Sequence, residues 1–120
     1  MRRKTRQTYS GEDLKMPVMD KLKAISGSAA IVGVAESDNI GRVPEKGPME
    51  LHAEAGRNAL ADAGINKSEV DGVFTAGYST YDVAEYMGIT PHFTDSTSVG
   101  GSSFVIHIAH AIAAIQAGYC

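Results

Sequence analysis

The stretch that most limits what this chain can fold into lies near its end, where Ser98-Val99-Gly100-Gly101-Ser102-Ser103 runs directly into Phe104-Val105-Ile106-His107-Ile108-Ala109-His110-Ala111-Ile112-Ala113-Ala114-Ile115-Gln116-Ala117-Gly118. The first part reads as a glycine-serine turn. The second reads as a helix over roughly 103–117, because no proline interrupts it, Ser102 or Ser103 can cap its first turn, and Gly118 tolerates the left-handed conformation beyond its last. Phe104, Ile108, Ile112 and Ile115 occupy one side, while Val105, Ala109, Ala111, Ala113 and Ala114 cover most of the rest. A helix apolar all round is expected to be buried. At about 1.5 Å per residue it is about 22 Å long, which is short for a bilayer. The expectation is the central helix of a layered soluble domain.

A turn at the start of such a helix presents free backbone N–H groups at the positive end of the helix dipole. That arrangement suits an anion or a nucleophile of lowered pKa. Gly-Gly-Ser-Ser before a helix is also what a plain tight turn and cap require, and the pattern alone does not separate the two readings.

The chain has 120 residues, a net charge of −3 and one cysteine, Cys120. The length suits one modest domain, and the charge excludes a composition dominated by a nucleic-acid-binding surface. A single cysteine excludes a disulfide framework or a cysteine zinc site within the chain, which fits a reducing cytoplasm. His107 and His110 sit three apart on the helix, but without a third ligand they read as packing residues, and no metal site is expected. No apolar run has the length of a signal core or a transmembrane helix.

In chain order, Met1 to Val18 carries Arg2, Arg3, Lys4 and Arg6 with little apolar periodicity, and residues 1–27 read as a flexible extension. Ser28 to Ala35 is a short apolar run expected to form a first strand buried on both faces, and Gly33 starts no Gly-x-Gly-x-x-Gly pattern. Pro48 opens an amphipathic helix ending at Gly64, with His52 expected to be solvated on its flank beside Glu54 and Arg57. Asn66 to Glu69 has capping-box spacing, Val70 to Thr75 reads as a second strand, and Asp82 to Met87 as a short helix. Tyr78, Tyr81 and Tyr86 cluster there, placed either to line a ligand cleft or to pack on the sheet. Pro91 to Thr97 reads as a third strand. Alternating strands and helices give an α/β architecture.

Several local sequences, in this order, resemble the thiolase superfamily, in particular the N-terminal half of its non-classical, sterol-carrier-protein-type branch. They are Ala30 to Ser37, Glu50-Leu51 with Glu54-Ala55, Ala59 to Ile65, Val70 to Val73, Ala84 to Gly88, and Gly100 to Gly118. The resemblance covers residues 28–120 and implies an incomplete N-terminal thiolase-like domain acting on acyl-CoA thioesters. It implies a CoA thioester as substrate with no separate cofactor, a missing C-terminal half, a homodimer and, among some relatives, an OB-fold partner protein. It also implies that the helix after the third strand is sandwiched between two similar halves.

Classical members place a nucleophilic cysteine in a turn at the start of that helix. An ungapped count from Ala111, Ile115 and Gly118 puts this position at Gly101 and the family serine at Ser103, whereas a Gly-Ser-Ser match moves it to Ser98. No cysteine stands at either place. Catalytic candidates are therefore limited to Ser98, Ser102 and Ser103, and Gly100, Gly101 and Ser102 are expected to bind substrate through the backbone. The resemblance thus implies part of an acyl-CoA acyltransferase, or of an aldolase-like enzyme cleaving a carbon–carbon bond, because Gly101 carries no nucleophile. The competing reading is a non-catalytic acyl or lipid-carrier binding module.

Overall fold

The computed structural model describes Asp20, Lys23 and residues 25–120. The extension expected over residues 1–27 lies mostly outside the described residues.

Helix α1 spans Pro48–Ala63. Pro48 presets its first turn, and the Glu50 carboxylate reaches back to accept from the Gly47 N–H at 2.7 Å. Gly64 ends it at φ 68°, with the Ile65 N–H donating to the Leu60 carbonyl. A 3-10 turn at Lys67–Glu69 follows, held by the anticipated capping box: Asn66 accepts from the Ser68 N–H and Glu69 from the Asn66 N–H. Strand β1 is Gly72–Phe74, α2 is Thr80–Met87, β2 is Phe93–Asp95, and α3 is Ser103–Ala117.

The two strands are parallel, with Gly72 opposite Phe93, Val73 opposite Thr94 and Phe74 opposite Asp95. Alternation along the strands then assigns the layers. Phe74 lies 5.9 Å from the His107 ring, Phe93 stacks on Tyr119, and Asp95 bonds His110, so this face meets α3. Val73 belongs to the other face, where it lines a cleft with α1 and with Val83 and Met87 of α2. The result is a helix–sheet–helix arrangement with Val83, Ala84, Ile89 and Ala114 as its buried apolar residues.

Two expectations fail. The run from Ser28 to Ala35 forms no strand. Its Gly33 is pressed onto α1, so closely that a Cβ there would overlap the Ala59 carbonyl oxygen, and the Val34 N–H donates to Asp62 of α1. Ile31, Val32 and Val34 stay exposed. A strand buried on both faces takes its backbone hydrogen bonds from neighbours on each side, and only two strands, of three residues each, exist among the described residues to supply them.

The second failure concerns α3, whose bounds agree with the sequence but whose burial does not. Only Ser103, His107 and Ala114 are buried, while Phe104 is 60% and Val105 70% exposed. A helix apolar on all sides needs cover on all sides, and one small sheet covers one. Counted with its turn, Gly100–Ala117 is long and apolar enough, by length and composition alone, to cross a membrane, which corrects the expectation that no run reaches that length. His107 and His110 tie α3 to the loop after β2 and to its last residue.

Candidate functional site

The site is the segment from Asp95 to Val105, which leaves the C-terminal end of β2 and enters α3. Asp95 anchors its start. One carboxylate oxygen accepts from the Thr97 N–H at 2.8 Å and from the Thr97 hydroxyl at 2.7 Å, and the other takes the Nδ1–H of His110. The Thr97 hydroxyl, then His110, hold the Asp95 carboxyl down at about 2, so it is ionised throughout the neutral range. One turn earlier on α3, buried His107 donates its Nε2–H to the Thr97 carbonyl at 2.9 Å. Two histidines thus clamp the loop to the helix. Sequence reasoning placed both as packing residues and missed their partners, although an aspartate just before the turn was a signal.

The turn itself depends on Ser103 and Gly100. The Ser103 hydroxyl accepts from the Val99 N–H at 2.9 Å and donates to the Gly100 carbonyl at 2.6 Å, and the residue is wholly buried. Gly100 adopts φ 79°, a left-handed conformation that disfavours side chains. Gly101 does not share that conformation, and a Cβ there would meet nothing within 4 Å. Ser102 occupies the cap position of α3 without a side-chain cap bond. The capping expected of Ser102 or Ser103 is therefore replaced by the Ser103 hydroxyl bracing the turn before the helix.

These contacts sort the candidates. Ser103 has both hydrogen-bonding roles of its hydroxyl committed, which removes it as a nucleophile. Ser98 and Ser102 are exposed, and neither has a hydrogen bond to a histidine. The backbone of Gly100, Gly101 and Ser102 faces solvent, and the N–H groups of Phe104 and Val105 have no acceptor among the described residues. The segment thus offers hydrogen-bond donors and open space, with no activated nucleophile. Free backbone donors at a helix start are the kind of group that can interact with an anion.

No protein-family profile matches the chain. It is 37% identical over 101 residues to the 17-hydroxy-3-oxo-4-pregnene-20-carboxyl-CoA lyase of Mycobacterium tuberculosis (strain ATCC 25618 / H37Rv), an alignment spanning 78% of this chain and 25% of that protein. Among solved structures it superposes on the Ltp2-ChsH2(DUF35) aldolase with TM-score 0.63 and 32% identity, over 76% of this chain and 25% of that one. It also superposes on the monomeric SCP2-thiolase like protein type 1 of Mycobacterium smegmatis with TM-score 0.60 and 27% identity, over 73% and 20%. The chain is thiolase-like. It spans about a quarter of the length of the curated relative it matches.

Other features of this thiolase-like chain stand apart from the turn. Cys120 lies beside Gly72 beyond the far end of α3, and burial, then Asp71, push its thiol upward. A cleft of about 380 Å³ opens between α1, α2 and β1 and includes no residue of the turn. Of its polar members, His52 donates Nδ1–H to the Pro48 carbonyl, and the Thr75 hydroxyl donates to the Tyr78 carbonyl. His52 stays partly exposed on the helix flank, bonded to the first turn of its own helix. Glu54, placed beside it on the flank, is buried, accepting from Lys46 at 2.6 Å and from the Asp38 N–H.

Proposed function

We propose that this chain forms the thioester-binding part of a thiolase-like enzyme that cleaves a carbon–carbon bond in an acyl-CoA by retro-aldol chemistry. The observation that carries the reading is Gly101: the residue that the ungapped count sets at the cysteine position of classical thiolases has no side chain, and a Cβ there would meet nothing within 4 Å. A lyase acting on a carboxyl-CoA and an aldolase among the relatives support the same reaction class.

In a β-hydroxyacyl thioester, a base takes the hydroxyl proton, the Cα–Cβ bond breaks, and its electron pair moves onto the thioester as an enolate. The new carbonyl compound leaves, and Cα of the enolate is protonated. No sulfur is acylated, and the thioester itself is the electron sink, so no cofactor is required. The contribution of this chain is to receive the enolate oxygen on backbone N–H groups at Gly101, Ser102 and the first turn of α3. The proton acceptor comes from polypeptide outside this chain, either the other thiolase half or an OB-fold partner, and the working enzyme is a homodimer.

Calorimetric titration of the chain with a β-hydroxyacyl-CoA tests the binding role. The Cβ of Gly101→Val meets no protein atom within 4 Å and needs no strained backbone, so the variant should preserve the circular dichroism spectrum while abolishing binding. Unchanged affinity would remove the turn from the site. In the complete enzyme, retro-aldol turnover should release no CoA thiol to Ellman's reagent. Thiol release in step with substrate loss would exclude the reaction.

A further inference from the structure

The parallel pairing of β1 and β2 puts the C-terminal ends of both strands at one end of the sheet, where open α/β sheets bind their ligands. The loop after β2 is the turn before α3. The loop after β1 runs from Thr75 to Ser79 and enters α2, and it is fixed to the end of β2 by an unusual set of bonds. The Thr75 N–H donates to the Asp95 carbonyl at 3.0 Å, and the Thr80 hydroxyl lies 3.2 Å from the same carbonyl, sharing its one proton between it and the Thr75 hydroxyl. The two threonine hydroxyls also meet at 2.7 Å, and Thr75 in turn donates to the Tyr78 carbonyl. Thr75 is 4% and Thr80 2% exposed. Buried hydroxyls are tolerated where they are fully bonded, and here the bonding fixes the start of α2 to the residue that anchors the substrate turn.

Directly after Thr80 stands Tyr81, 73% exposed on the first turn of α2, with Tyr78 beside it in the loop leaning toward His52. Val83 and Ala84 take the buried face of this helix, so packing does not account for the Tyr81 ring. Tyr86 is similarly exposed, but at the opposite end of α2, away from the strand ends.

We infer that Tyr81 is a specificity-determining residue that receives the apolar acyl portion of the thioester whose carbonyl sits on the Gly100–Ser102 turn. This rests on the function proposed above. An aromatic side chain with two rotatable bonds, on a helix start that Thr75 and Thr80 hold in place, offers a large apolar area at low conformational cost, and it discriminates by acyl size rather than by the CoA moiety common to all substrates.

The test is equilibrium binding of octanoyl-CoA and of acetyl-CoA to the chain and to its Tyr81→Ala and Tyr86→Ala variants, with circular dichroism as the control for folding. Tyr81→Ala should weaken octanoyl-CoA by about tenfold and leave acetyl-CoA unchanged, and Tyr86→Ala should change neither. Unchanged octanoyl-CoA affinity in Tyr81→Ala, equal losses for both thioesters, or an equal loss in Tyr86→Ala would overturn the assignment while leaving the turn intact as a thioester site. If the wild-type chain binds neither thioester, the proposed function falls and this inference with it.

Discussion

Replacing Asp95 with asparagine tests whether charge, rather than shape, fastens the turn to α3. The carboxyl falls from 3.8 to about 2 in the folded chain, through Thr97 first and His110 second. A group whose pKa is depressed by folding adds stability above its unfolded pKa, and that stability is lost as the pH falls through the folded value. The full difference corresponds to roughly 2 kcal/mol at about 1.36 kcal/mol per pH unit. Because the Asp95 side chain retains 15% of its exposure, solvent screening reduces this to about 1–2 kcal/mol. The asparagine would keep an oxygen for Thr97 but present an amide where His110 met a carboxylate. At pH 7 the variant should melt roughly 5–15 °C below the parent, at about 4–8 °C per kcal/mol for a domain of this size. The gap should begin to close below about pH 4 and be mostly gone at about pH 2. Thermal melts followed by circular dichroism at neutral and acid pH decide it. A gap of equal size in acid would show that geometry, and not the ionised carboxylate, is what Asp95 supplies.

Gly33→Ala should loosen the Ala29–Val34 run from α1 and cost about 1–3 kcal/mol in guanidinium unfolding, because the added methyl overlaps the immovable Ala59 carbonyl. A neutral result would mean that the run is not seated on α1 in solution. The exposed face of α3 should make the chain self-associate or bind a hydrophobic dye, and Ile108→Glu with Ile115→Glu should reduce both, as read by sedimentation velocity and dye fluorescence. A dilute monomer whose amides over 104–117 are strongly protected from exchange would refute the exposure of this face.

Local chemistry made the helices legible. Pro48, Glu50 and Gly64 delimit α1, and Gly118 stops α3 at the end read from its sequence, because caps and stops act within a few residues. What the sequence could not specify was whether a segment finds its partner. Ile31, Val32 and Val34 have the composition of a central strand, yet strand formation is decided by neighbours distant in sequence, and here the run settles on α1. The same limit applies to the site. Gly100 and Gly101 were identified by their freedom, but only Gly100, whose carbonyl accepts from Ser103, takes the left-handed conformation, and the Asp95–His110 tie joins residues 15 apart.

The way the turn is held bears on what chemistry it can support. Three side chains immobilise it, and each does so by consuming its own polar groups: Ser103 on Val99 and Gly100, Asp95 on Thr97 and His110, and His107 on Thr97. A segment built this way offers a substrate little side-chain reactivity. It offers fixed backbone donors at the start of a helix, beside a glycine with room for a ligand atom where a side chain would otherwise stand. Fixed donors need no reorganisation as negative charge develops, and their effect is largest on an anion formed during the reaction. An enolate generated by breaking a carbon–carbon bond is such an anion. An acyl-enzyme would need a nucleophile and an adjacent base, and here Ser103 and both histidines are committed while the exposed Ser98 and Ser102 have no histidine bonded to them.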